Sequence, residues 1–428
     1  MTLISSRLKS NLWFCYLCWL LFWGLNAYAE IAKSLREGTL FARVIDGHPY
    51  INDSVQLHSA ALLAHRCAGG LVDIYDPAVQ DQSLRALIAP VAPQTLQYLQ
   101  YPPQFFALVQ PFSALSMQSA YFVWCGLSLT LILFTLWILC KDYFASAFAR
   151  SFVFVATLAA YPAWLSFELG QTSLFQFPAT IGFWLLLRAK RAFAAGLLSA
   201  LLLVKLQYMP AMILIGLIIG RGRYAAGLLL SSSILAALTV FTVGMNNILK
   251  YPSALQFGET NAQVGGVAAN MMQNFRGEMI VLSLHDERLI HQVSLVLFGI
   301  AIISSALLWV KLYPQLKKCL GQDAFGLCAG LSILISLICS PHTHIQEFLT
   351  ASLALVFLSP LLKNRSSKAL NITLSVLMIG FPIWSWLFFL FLPIFQMYKV
   401  QPYLFWDLGL LLAAGLEIGR RLSAANSK

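Results

Sequence analysis

Long apolar runs separated by short basic or polar strings set the pattern of this chain. The runs cover 11–29, 118–140, 151–167, 171–187, 192–206, 207–220, 224–244, 290–310, 324–340, 345–362, 369–392 and 404–419. A helix needs about 20 apolar residues to cross a bilayer, and only helices and closed barrels satisfy their backbone groups there. The pattern therefore predicts an all-α polytopic membrane protein, a single membrane domain with about 12 transmembrane helices. The pair 192–206 and 207–220 is short and holds Lys205 and Pro210, which fits two broken half-helices. Two stretches, 30–117 and 245–289, are long and only partly apolar. In the first, Val55, Leu57, Leu62, Leu63 and Ala64 alternate with His58, His65 and Arg66, the pattern of an interfacial helix lying on the membrane. Residues 102–116 are apolar but short and bounded by proline, which fits a re-entrant or interfacial segment.

Composition agrees with the pattern. Hydrophobic residues make up 59% and charged residues 11% of the chain, where soluble domains carry roughly 25% charged residues. The net charge of +11 raises the question of a nucleic-acid partner, and the placement of the charges answers it. Basic residues sit in clusters between spans, among them Lys190-Arg191, Lys317-Lys318 and Arg420-Arg421, as in cytoplasmic loops. The positive-inside rule puts both termini in the cytoplasm and both long stretches outside. Only Asp142, Asp323 and Glu417 of the 17 carboxylates fall on the basic side, and all seven histidines fall on the other. Ionisable groups persist in a membrane protein where water, a partner or a function retains them, so the outer face is where chemistry is expected. The eight cysteines are scattered and suggest neither a disulfide nor a zinc site. Residues 11–29 end in Asn26-Ala27-Tyr28-Ala29, which mimics a signal cleavage site. Their length favours an uncleaved first helix.

Six polar strings on that face are candidates. Asp53, in Ile51-Asn52-Asp53-Ser54, reads as a helix cap or as a general base at the membrane boundary. Tyr101-Pro102-Pro103 reads as a stiff helix entry or a rigid wall for a substrate. Glu168-Leu169-Gly170-Gln171 is a tight turn with two side chains suited to sugar hydroxyls. Lys205 either snorkels to the interface or contacts a phosphate. Arg276, in Asn274-Phe275-Arg276-Gly277, is a loop cation or a bidentate phosphate ligand. His342 and His344 sit in Ser340-Pro341-His342-Thr343-His344, which reads as a helix-entry turn, as a site of phosphate or sugar contacts, or as a metal pair.

In this order the strings resemble glycosyltransferase family 87, the membrane mannosyltransferase-like family of the GT-C superfamily. The resemblance rests on Asp53 followed by Gly69-Gly70-Leu71-Val72-Asp73-Ile74-Tyr75-Asp76, on Tyr101-Pro102-Pro103 to Pro111, and on Gly170-Gln171-Thr172. It continues through Ala195-Gly196-Leu197 with Lys205 to Pro210, and Ser340-Pro341-His342, over roughly residues 10 to 365. The chain departs from the family in having Ser54 and His58 where aromatic residues are common, and Asp46 is a rival for the role of Asp53.

The resemblance implies a GT-C-like fold and transfer of a hexose, mannose foremost, from a polyprenyl-phosphate sugar. The acceptor would be a hydroxyl of an extracytoplasmic glycolipid or glycan, and transfer would proceed with inversion. The setting would be a bacterial inner membrane, with membrane lipids, donor and acceptor as partners and no cofactor. It implies Asp53 as catalytic base. Arg276, Lys205, His342 and His344 would hold the donor phosphate, and Tyr101, Glu168 and Gln171 would contact sugar or acceptor. The chain has no Asp-x-Asp cluster, so no metal is expected. A flippase or transporter of lipid-linked sugars would need polar groups at the midplane of several helices. A polysaccharide polymerase or ligase would be expected to gather several arginines in one late outer loop, whereas 245–289 holds Lys250, Arg276 and Arg288.

Overall fold

The structure is a computed structural model and describes residues 6–45, 48–67, 70–91, 98–205, 209–260, 272–282, 286–362 and 368–426. It is a helical bundle in the order α1 (Ser6–Arg36), α2 (Asp53–Cys67), α3 (Pro77–Ile88), α4 (Pro103–Val109), α5 (Met117–Tyr143), α6 (Ala147–Ala159) and α7 (Tyr161–Leu169). There follow α8 (Ser173–Arg188), α9 (Ala192–Ser199), α10 (Met209–Thr260), α11 (Phe275–Val281), α12 (Glu287–Leu307) and α13 (Tyr313–Leu320). The chain ends with α14 (Asp323–Cys339), α15 (Leu349–Leu358), α16 (Lys368–Ile379), α17 (Phe381–Leu390), α18 (Leu392–Met397) and α19 (Pro402–Asn426). One element was not expected. β1 (Ala42–Ile45) and β2 (His48–Ile51) form an antiparallel hairpin that pairs Ala42 with Ile51 and Ile45 with His48.

Within the described residues, the apolar runs of the sequence fall mostly on helix. Among the described residues, six helices are long and apolar enough to cross a membrane, or eight if two bent pairs each count as one span. The pairs are α6 with α7, bent by 53°, and α16 with α17, bent by 64°. Proline explains both bends, because Pro162 and Pro382 open the second helix of each pair and lack the amide the preceding turn needs. The segments 192–204 and 323–339 are apolar helices shorter than one crossing. α10 is broken twice, at Arg221 (φ 49°, ψ −139°) and Gly244 (φ 80°, ψ 155°). The breaks fall at the ends of the runs 207–220 and 224–244. The 192–220 region is interrupted as its sequence suggests: a 3-10 turn over 200–204 ends at Lys205, whose backbone is extended.

The bundle has two chemically different ends. α8 runs from Ser173 to Arg188, α14 from Asp323 to Cys339, and the 345–362 segment back again. The Gly170-Gln171 turn, the Ser340–Glu347 turn and the start of α5 therefore share one end. At the other end Arg188 pairs with Asp142 at 3.4 Å, and Arg421 donates to the Leu361 carbonyl at 2.9 Å. The first long stretch folds into the polar end. α2 packs against α3, α4, α5 and α10. Ten of its side chains are buried, His58 among them, so more of it is covered than an alternating surface helix would show.

Candidate active site

Local sequence sets the entrance of α2. Asn52 caps the helix: its Oδ1 accepts from the Ser54 amide at 2.8 Å and from the Ser54 hydroxyl at 2.7 Å. Its Nδ2 donates to the Glu168 carbonyl, tying the helix to the turn after α7. Because Asn52 fills the cap, Asp53 is the first helical residue and its carboxylate is free for another partner. That partner is Gln171, whose amide donates to Asp53 Oδ2. Gly170 makes the meeting possible. It has φ +64°, and a Cβ there would lie 2.8 Å from the Ser54 Cβ, so only glycine lets the turn approach the helix this closely.

Three further segments close around this pair. Pro102, extended, caps α4 and Pro103 starts it, and Tyr101 just ahead of them stacks on Phe105 at 4.1 Å between centroids. Lys205, at the break after 200–204, is 9% exposed and pairs with the Glu347 carboxylate. Gln104 donates to the Leu203 carbonyl at 3.0 Å and holds this break against α4. The other oxygen of Glu347 accepts from the His344 amide at 2.6 Å. The 272–276 segment lies along the His turn: Met272 bridges His344 in antiparallel fashion, and the Gln273 amide donates to the Thr343 carbonyl at 2.8 Å. Asn274 caps α11 and donates to the Ser340 carbonyl at 2.8 Å. Arg276, 6% exposed, reaches His342 Nε2 at 3.0 Å.

Electrostatics joins these pieces into one cluster. Burial pushes the Asp53 carboxyl up to about 6; the Gln171 hydrogen bond and the Lys205 charge oppose the rise, and Glu347 adds to it. Burial raises the Tyr101 phenol, and the Asp53 charge raises it further. His344 is held down to about 4, chiefly by burial, with His342, Lys205 and Arg276 adding to the drop and Glu347 opposing it. Its imidazole is thus uncharged at neutral pH, and its buried Nε2 has no hydrogen-bond partner among the described residues. Among the described residues, no group of three or more His, Cys, Asp or Glu side chains converges as metal ligands would.

The structure thus brings Asp53, Tyr101, Gln171, Lys205, Arg276, His342 and His344 together from six separate strings. Glu168 stands at the edge, with its carboxylate 3.3 Å from Arg43 of the hairpin and its carbonyl on Asn52. Asp46 lies outside the described residues. Sequence reasoning missed Glu347, Asn52 and Arg43 as members. Glu347 had a usable signal: it is a lone carboxylate at the head of an apolar run, and Lys205 is a lone cation in another, and such charges seek each other in a membrane. Lys205 does not snorkel outward: its ammonium turns inward and pairs with Glu347.

The arrangement offers a raised carboxylate held by an amide, flanked by an aromatic wall, with cations and unused imidazole capacity beyond it. Such a set can take a proton from a hydroxyl and stabilise a departing anion. Comparison with known proteins agrees with that chemistry. The family 87 glycosyltransferase profile matches residues 98–341, more than half of the chain, from just before Tyr101 to the residue before His342. This is narrower than the span of the motif resemblance and leaves Asp53 ahead of the matched segment. Neither the comparison with curated proteins nor that with solved structures returned a match. On the matched segment, the chain belongs to glycosyltransferase family 87 and is a membrane glycosyltransferase.

Proposed function

We propose that this glycosyltransferase moves a hexose, mannose foremost, from a polyprenyl-phosphate donor to a hydroxyl of a glycolipid or glycan outside the cytoplasm, with inversion, in a GT-C-like bundle of about 12 spans. The observation that carries the reading is the buried Asp53 carboxylate, fixed by Gln171 and standing in one electrostatic cluster with Lys205, Arg276 and the His342–His344 turn. A donor whose tail lies in the bilayer carries its phosphosugar at the rim of the bundle, and this cluster lies at one end of the helices rather than at their middle. That placement also disfavours a transporter, which would carry its polar groups at the midplane.

In the proposed step the acceptor oxygen attacks the anomeric carbon from the face opposite the phosphate. The acceptor proton passes to Asp53. The bond from the anomeric carbon to the phosphate oxygen breaks, and the electron pair leaves with the polyprenyl phosphate. Arg276 meets the growing phosphate charge with a guanidinium suited to two oxygens, and His342 orients it. The Nε2 of His344 supplies a further hydrogen bond. Lys205 neutralises Glu347, which would otherwise repel the phosphate. Tyr101 and Gln171 border the sugar.

The test is transfer by the purified chain in proteoliposomes, with polyprenyl-phosphate mannose, polyprenyl-phosphate glucose and nucleotide sugars offered separately against a panel of glycolipid acceptors. Label should move from a polyprenyl-phosphate hexose. Transfer from nucleotide sugars alone would overturn the donor assignment.

A further inference from the structure

A second cleft opens beside the candidate site, with a volume of about 450 Å³, within the range of small-ligand pockets. Its walls come from the loop after α2, the segment before Tyr101 and the last segment of α10. Asp73, Asp76, Tyr98, Gln100, Lys250 and Phe257 line it. The walls are fixed from behind. Gln80, 1% exposed, donates to the Ile74 carbonyl at 2.8 Å and accepts from the Leu99 amide at 2.7 Å, tying the loop to the segment before Tyr101. Asn247 accepts from the Ile74 amide at 3.1 Å and donates to the Val72 carbonyl at 2.9 Å, tying the loop to α10. A cleft secured by two buried amides from three chain segments is a built feature.

Its chemistry is mixed in a particular way. Lys250 donates to Asp73 across the cleft at 2.5 Å, and Asp76 contributes a second carboxylate. Tyr98 and Phe257 meet edge to face, 5.9 Å between centroids, and present aromatic surface. Carboxylates and an ammonium accept and donate to hydroxyls, and aromatic faces cover the apolar faces of a sugar ring. Two carboxylates disfavour a phosphate, and the charged lining disfavours a lipid tail. Tyr75, another lining residue, donates to the Tyr101 carbonyl at 2.9 Å, so the cleft ends against the segment that borders Asp53.

We infer that this cleft binds the carbohydrate part of the acceptor, holding one or two sugar rings so that a terminal hydroxyl reaches Asp53. The inference rests on the transferase reading above and names the acceptor class for it, a neutral glycan rather than a bare lipid or protein hydroxyl. Asp73, Lys250, Tyr98 and Phe257 are its specificity-determining residues.

The probe is a set of soluble methyl glycosides and disaccharides of mannose, glucose and galactose, added to the full chain in nanodiscs and followed by saturation-transfer NMR without donor. At least one should bind both the wild type and Asp53→Asn. A Tyr98→Ala, Phe257→Ala double variant should bind it about tenfold more weakly, as expected for loss of aromatic anchors. In transfer, that variant should raise the acceptor KM and leave the donor KM unchanged. Its thermal unfolding, matched to the wild type, separates loss of the cleft from loss of the fold. Equal glycoside binding by the double variant, or no binding of any probe to the wild type, overturns the inference. If Asp53→Asn instead retains transfer while glycoside binding still depends on Tyr98 and Phe257, the assigned base fails and the cleft stands.

Discussion

The two ends of the bundle each bury a carboxylate against cations, and they do so by different means. At the basic end Glu417 is held by Arg420 at 2.9 Å and Arg421 at 2.8 Å, three and four residues along the same helix. At the polar end Glu347 meets Lys205 from 142 residues away, Asp53 meets Gln171 from 118, and Arg276 meets His342 from 66. The first arrangement is local and complete, the kind of contact that secures a helix end. The second requires the whole fold, and among the described residues the Nε2 of His344 has no hydrogen-bond partner there. What sets the polar end apart is that ionisable side chains from several separate segments gather around one buried carboxylate.

The comparison breaks most visibly at Lys205. Lys205→Met leaves the Glu347 carboxylate buried without its cation, which should cost about 3–5 kcal/mol of stability, whereas Lys205→Met with Glu347→Leu should recover most of it. Unfolding in micelles reads both, and wild-type stability of the single variant would remove the buried pair from the account. Next in size is Arg276→Lys. It keeps the charge but loses the planar fork, and transfer should fall by about 10- to 100-fold, the worth of a charged hydrogen bond of about 1.5–3 kcal/mol. An unchanged donor KM and kcat would take the phosphate from Arg276. Gly170→Ala places a Cβ at φ +64° against Ser54 and should destabilise the chain by about 1–2 kcal/mol, with a larger loss of transfer than of folded protein because Gln171 shifts from Asp53. The smallest effect is expected at the basic end. Arg420→Ala removes a 39% exposed partner and leaves Arg421 on Glu417, so transfer should match the wild type. A large loss there would erase the distinction between the two ends.

Much of this was legible in the sequence, and the remainder was hidden for physical reasons. Hydropathy located the long apolar helices of the bundle, because apolar runs of bilayer length have few alternatives, but not the continuation of α10 to Thr260. It could not show that Pro162 and Pro382 bend helices within a run, since a kink leaves composition unchanged. The 42–51 hairpin escaped notice in a long irregular stretch, although Asp46-Gly47 between Ile45 and His48 is a strong two-residue hairpin signal. For the site, residue type and order named seven members of the cluster. What they could not give was partnership. Asn52 and Asp53 are both good caps, and only the fold decides that Asn52 takes the cap and leaves Asp53 for Gln171. Lys205 looked like a free cation because its partner lies 142 residues away.

The central claim is that Asp53 takes the acceptor proton, and the pH dependence of kcat/KM tests it most directly. A base must be ionised to act, and burial raises the Asp53 carboxyl to about 6, so activity should be lost as pH falls through that value and level off above it. In the wild type, kcat/KM should fall about tenfold per unit below pH 6, and Asp53→Asn should lose that limb and run about 10²- to 10⁴-fold slower on the plateau. An Asp53→Asn chain with the wild-type rate, or with the same acidic limb, would contradict the account.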